Sequence, residues 1–156
     1  MTDTTLTIAH VIRAPAALVW DAWADPASLA QWWLPAPYLC RVLALDLKPG
    51  GAFRTEMREE GAAWQPHLDA CFLEVVSGER LVFTTALRNG WQPADNPFLS
   101  ISAIITLTPH AVGTEYRAVV LHQNPDARAK HEEMGFFEGW GTCIDQLKAL
   151  VEARVQ

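Results

Sequence analysis

The chain has 156 residues, half of them hydrophobic and 19% charged, and carries a net charge of −6. This length fits one domain spanning 1–156, with a core that holds without disulfides or metals, and the composition excludes a disordered polymer. The acidic balance argues against nucleic acid as a partner, because backbone recognition rests on clustered Lys and Arg.

A first strand is predicted over residues 6–13, where Leu6, Ile8, His10 and Ile12 alternate with Thr7, Ala9 and Val11. Ala14-Pro15 stops it: the residue before proline is pushed to extended geometry, and Pro15 suits a first helical turn. A short helix follows over 15–24, with Leu18, Val19, Ala22 and Trp23 on one side. Asp25-Pro26 starts a second over 27–33, with Asp25 capping free amides, and it ends before Pro35 and Pro37. Strands are then predicted over 40–47, 52–58, 67–76, 80–87, 99–108 and 114–122. Turn signals between them include Pro49-Gly50-Gly51, Ser77-Gly78, Asn89-Gly90 and Val112-Gly113. Within 52–58, Phe53, Thr55 and Met57 share one face, which puts Arg54 and Glu56 on the other.

Asn124 caps a last and longest helix with Pro125 in its first position. It runs to about Val151 on Phe136, Trp140, Cys143, Ile144, Leu147 and Leu150, which recur at threes and fours. Gly135, Gly139 and Gly141 interrupt it, each costing about 1 kcal/mol against alanine. Either the helix approaches the sheet closely there, or the missing side chains leave room for a ligand. The order as a whole predicts an α+β fold: a curved antiparallel sheet with the long helix across its concave face and the short helices plugging one end.

Catalytic and metal-ligating spacings are missing. His131-Glu132 lacks the second histidine of a metalloprotease helix, and no GxSxG, GxGxxG or GxxxxGK string is present. His10, His67, His110, His122 and His131 form no pair at ligand spacing, so neither a metal nor a cofactor is expected. Cys40, Cys71 and Cys143, without a CxxC, read as reduced thiols and point to the cytoplasm. The first residues lack the basic and apolar regions of a leader, and no stretch approaches the ~18 apolar residues of a spanning helix, so no membrane insertion is expected.

The remaining polar residues each carry two readings. His122, closing the last predicted strand, is either a solvated end residue or faces a cavity mouth. The run His131-Glu132-Glu133, on the first turns of the helix, reads first as a solvated charged face and second as a functional cluster. Tyr116 either packs or orients a ligand through its hydroxyl, and Asp46 reads as an acceptor that fixes its turn. Seven tryptophans are an unusual number, and such side chains fill cores or line pockets for apolar ligands. Trp20 and Trp23 read as core. Trp32 and Trp33 point different ways on a helix, so one packs while the other guards an entrance. Trp91, among Asn89, Gly90, Gln92 and Pro93, is a lid, a partner contact or a surface residue.

Several strings in this order resemble one superfamily. They are Ala14-Pro15 with Val19-Trp20-Asp21-Ala22-Trp23, Asp25-Pro26 with Gln31-Trp32-Trp33, Asp46-Leu47-Lys48-Pro49-Gly50-Gly51, and Glu79-Arg80-Leu81-Val82-Phe83-Thr84. A fifth is His131-Glu132-Glu133-Met134-Gly135-Phe136 with Gly139-Trp140-Gly141 and Leu147. Together they resemble the helix-grip proteins, also called START-like or SRPBCC, in the branch of the activator of heat-shock-protein ATPase, over residues 8–152. The chain departs from that pattern at Leu34, Ala70, Ser77-Gly78 and Phe137. Phe137 stands where the family often has a histidine, which makes the adjoining cavity wall more apolar.

The resemblance implies a helix-grip fold enclosing a cavity, in a superfamily of lipid carriers, hormone receptors, cyclases and resistance proteins; fold alone does not choose among them. The leading expectation is a binder of one small hydrophobic or aromatic ligand, with no catalytic residue. Its site would comprise Trp33, Phe53, Met57, Phe83, Trp91, Tyr116, His122, Phe136, Trp140 and Ile144. The rivals are a cofactor-free cyclase- or hydrolase-like enzyme in the same cavity, and an accessory of a chaperone ATPase in a stress response. A homodimer is compatible with each.

Overall fold

The computed structural model describes residues 3–95, 97 and 99–155. In chain order the elements are β1 (Thr5–Ile12), α1 (Ala16–Ala24), α2 (Pro26–Trp32), β2 (Leu39–Leu45), β3 (Ala52–Arg58), β4 (Gln65–Val76) and β5 (Arg80–Thr84). A two-residue hairpin of β6 (Leu87–Arg88) and β7 (Gln92–Pro93) follows, then β8 (Ile101–His110), β9 (Gly113–His122), α3 (Pro125–Glu133) and α4 (Phe136–Glu152). Seven strands form one antiparallel sheet in the order β1-β9-β8-β5-β4-β3-β2. The helix-grip expectation therefore holds, with α4 as the long C-terminal helix.

Local chemistry explains the element ends. Asp25 accepts from the Ser28 amide at 3.2 Å and from the Ser28 hydroxyl at 2.8 Å, so it closes α1 and caps α2. Asn124 caps α3 through the Ala127 amide at 2.8 Å. The predicted strand 80–87 stops at Thr84, because the Thr85 hydroxyl donates to the Leu99 carbonyl at 2.6 Å and accepts from the Ile101 amide at 2.9 Å. The turn after β2 is held by backbone bonds rather than by the Asp46 carboxylate, whose partner is Lys48 at 3.6 Å. Only glycine fits at Gly51, where a Cβ would lie 2.0 Å from the Asp46 carbonyl oxygen.

The predicted single helix after Asn124 is two. Gly135 adopts φ 95°, and the chain leaves α3 there and starts α4 afresh. The Gly135 carbonyl accepts the Gly139 amide at 2.8 Å as the first bond of the new helix. The sequence pattern blurred this break because apolar spacing begins only at Phe136, while residues 125–133 are almost wholly polar.

Packing against α4 fixes the double-tryptophan segment. Gln146 donates to the carbonyls of Trp32 (3.2 Å) and Leu34 (2.8 Å) and accepts from the Ala36 amide at 2.8 Å. Farther along, Glu152 receives the Arg13 amide and Arg154 reaches the Ser28 hydroxyl. Beneath this clamp lies an aromatic core. Trp23, Trp32, Phe53, Phe72 and Phe83 are fully buried, with Phe53 stacked on Phe72 at 5.2 Å. All three cysteines are free thiols.

Candidate functional site

A cavity of about 660 Å³ lies between the sheet and the C-terminal helices. On one side α4 contributes Phe136, Gly139, Trp140, Cys143 and Ile144, with His131 and Met134 from α3 and its end. The opposite side is Thr55, Leu68, Phe83, Thr85, Leu99, Ile101 and Tyr116, and the segment Trp32–Pro35 closes one end. The volume sits inside the ~300–1,000 Å³ range that suits one drug-sized molecule.

Glycine explains part of this space. A Cβ at Gly139 would meet nothing within 4 Å, and one at Gly141 would rest at ordinary contact distance, 3.8 Å from Ile8 Cδ1. Close approach to the sheet therefore does not require glycine at either position. Gly139 lines the cavity, which is the second of the two readings offered by the sequence.

Most polar groups of the lining are already paired. The Thr55 hydroxyl and His67 Nδ1 are 2.8 Å apart, and Thr85 is bonded to the β8 entry as described. Glu56 pairs with Arg41 at 2.7 Å, and exposed Arg54 and Asp69 face each other at 3.9 Å. The Cys143 thiol donates to the Trp33 carbonyl at 3.4 Å. Tyr116 accepts a 2.9 Å hydrogen bond from Trp23 Nε1, while its own proton finds no acceptor among the described residues.

Two histidines form a buried pair at the α3 side. His122 Nδ1 lies 2.9 Å from the Thr4 carbonyl oxygen, and His122 Nε2 lies 2.8 Å from His131 Nδ1. Burial, with His122 beside it, lowers the His131 pKa to about 4. Burial pushes the Cys143 thiol up to about 12 and Cys40 up to about 11, and raises the Tyr116 phenol. Near neutral pH these four groups are all uncharged.

Six of the ten residues singled out from the sequence line the cavity: Trp33, Phe83, Tyr116, Phe136, Trp140 and Ile144. Phe53 does not; it lies fully buried behind Trp33 and Phe83, with ring centroids 5.2 Å from each. Met57 also misses the lining: β3 contributes Arg54, Thr55 and Glu56, so the wall stops short of Met57 and includes the two residues that alternation had put on the other face. Trp91 is half exposed and folds back over the turn at Gly50, where a Cβ would come within 2.8 Å of its indole. It covers a turn, not the cavity. His122 sits one residue behind the wall and reaches the cavity only through His131.

His131 is the residue that sequence reasoning missed. It was assigned to a solvated face with Glu132 and Glu133, yet only 6% of its surface is exposed and it lines the cavity. The available signal was its placement nine residues after His122, across a strand end and an Asn-Pro cap that folds the chain back on itself. Trp32 and Trp33 divide as expected from helix geometry. Trp32 is fully buried with its Nε1 bonded to the Ala22 carbonyl at 3.0 Å, and Trp33 is partly exposed with its Nε1 unpaired.

Solved structures share this architecture. A crystal structure of a Nitrosomonas europaea protein is 37% identical, with 97% of this chain and 96% of that one covered at a TM-score of 0.90. A Chromobacterium violaceum protein is 29% identical over 96% of this chain and 97% of its own, with a TM-score of 0.73. An AHSA1-like protein from Aeromonas hydrophila, 22% identical over 96% and 93% of the two chains, shares the fold at a TM-score of 0.74. No curated protein matches. Among the described residues no helix is long and apolar enough to cross a membrane, and no group of three or more His, Cys, Asp or Glu gathers as a metal site. Residues 13–152 match the family described as Activator of Hsp90 ATPase homolog 1-like protein, and the chain belongs to that family.

Proposed function

We propose that the protein binds one small hydrophobic or aromatic molecule in the cavity between sheet and α4. The observation that carries this reading is a space of about 660 Å³ walled by Trp33, Phe83, Phe136, Trp140 and Ile144. Apolar surface left facing an open volume of that size gains free energy when a ligand covers it, at roughly 25 cal/mol per Å² before the costs of association. A thermal-shift screen of aromatic ligands tests the reading, because a ligand that binds only the folded state raises its stability by mass action. Failure of every aromatic ligand to raise the melting temperature would overturn it.

A second reading, a cofactor-free enzyme acting by proton transfer, gains support from His131 alone. A neutral imidazole whose pKa is held near 4 is a weak base, but it stands at the wall with one nitrogen unbonded among the described residues. Mass spectrometry of each stabilising ligand after incubation separates the two. Recovery of the unchanged ligand supports binding, and a product lost on His131→Gln supports catalysis.

A further inference from the structure

We propose that His131 Nε2 is the polar pole of the cavity and accepts a hydrogen bond from the ligand, which is therefore an aromatic molecule bearing a hydroxyl or N–H group. The inference rests on the cavity being a ligand site and names the class of ligand it selects.

The Thr4 carbonyl fixes the proton positions of both rings. Its oxygen has no proton to give, so His122 Nδ1, 2.9 Å away, must be the donor. A neutral His122 then has a bare Nε2, which accepts a proton from its 2.8 Å neighbour, His131 Nδ1. His131 is consequently the Nδ1–H tautomer, and its Nε2 carries a lone pair. One backbone carbonyl thus sets the tautomer of both rings.

The ring cannot turn to hide that lone pair. Rotation would break the bond to His122, and the imidazole is wedged edge-on against Phe136, with centroids 5.1 Å apart and planes at 80°. From the other side, Arg128 ties α3 to β1 through the Thr5 carbonyl at 3.0 Å. His131 Nε2 has no hydrogen-bond partner among the described residues, and it is not among the buried atoms left without one, so it keeps accessible surface. His131 is part of the cavity wall.

The other unpaired groups named in the lining, Trp33 Nε1 and the Tyr116 hydroxyl proton, are donors and do not compete for a proton that the ligand offers. A ligand that covers Nε2 without donating to it strips that nitrogen of water and gives nothing back, which is the costly case for a buried acceptor. A phenol-like hydroxyl or a ring N–H avoids the loss. A methyl ether of the same ring does not.

The test compares 2-naphthol with 2-methoxynaphthalene by isothermal titration calorimetry, on the wild-type chain and on His131→Phe. We expect wild type to bind 2-naphthol about tenfold more tightly, and His131→Phe to bring the two affinities together. A second measurement needs no variant: long-range ¹H–¹⁵N correlation spectra of the free protein should show His131 protonated at Nδ1 and bare at Nε2. Equal wild-type affinities, or His131 protonated at Nε2, would overturn the inference while leaving the cavity reading intact. Binding of neither compound would overturn the inference, and the cavity reading falls with it when every aromatic ligand of the thermal-shift screen fails as well.

Discussion

The α1–α2 end of the molecule and the α3–α4 side use the same residue types to opposite effect. At the first, Trp23 and Trp32 are fully buried, both indole N–H groups are bonded, and Trp23, Phe53 and Phe83 pack with ring centroids 5.2 to 6.4 Å apart. At the second, Phe136 and Trp140 meet at 5.3 Å, yet they stand beside a 660 Å³ space with Gly139 in the next turn. Aromatic content alone does not separate a packed core from a pocket. What separates them is whether neighbouring positions supply side chains that fill the gaps between rings. Between Trp23 and Phe83 they do, and around Trp140 glycine leaves the gap open.

The largest expected effect sets these two tryptophans against each other. Trp23→Ala should lose about 3–5 kcal/mol of stability, as for a fully enclosed large aromatic. Trp140→Ala, already open on one side, should lose clearly less. Equal losses in urea denaturation would show that the cavity wall is packed as tightly as the core.

The histidine pair contributes the next effect. His131 has a folded pKa near 4 against an ordinary value of 6.5, so below 6.5 the unfolded chain takes up the proton first. The stability from keeping His131 neutral is complete above pH 6.5 and is lost as pH falls toward 4, by up to about 3 kcal/mol. His131→Gln should flatten that part of the pH profile, measured as unfolding free energy between pH 7 and 4.5. An unchanged slope would place the acid-labile group elsewhere.

Gln146 links the two regions, since it holds the end of the double-tryptophan segment to the helix that walls the cavity. Gln146→Ala removes three hydrogen bonds and should cost about 1–3 kcal/mol, with faster amide exchange at Ala36 as a local readout. Smallest is Gly139→Ala. Its Cβ meets open space within regular helix, so it should stabilise by up to about 1 kcal/mol. Gly135→Ala should do the reverse, because φ 95° is unfavourable for any residue with a Cβ.

Much of the fold was legible because its signals are local. The caps at Asp25 and Asn124, the Pro-Gly-Gly turn and the alternation in β1 all act within a few residues. The break at Gly135 was not, since a glycine in a helix and a glycine between helices look alike until the chain direction is known. The cavity was legible in its aromatic wall but not in its polar groups. Met57 lies past the stretch of β3 that walls the cavity, an end point that alternation does not mark, and Trp91 folds over a turn about forty residues earlier in sequence. His131 was misread because its burial depends on β1: the Thr4 carbonyl orders His122, and His122 orders His131. A contact across 118 residues leaves no trace in the composition of one helix.

The space beside α4 is the proposed seat of the ligand. Intermolecular nuclear Overhauser effects from 2-naphthol bound to the isotope-labelled protein test it most directly. Contacts are expected from the naphthol ring to Phe136, Trp140 and Ile144 of α4 and to Phe83 across the cavity. Contacts confined to exposed side chains such as Trp91, Leu121 or Val112 would contradict it.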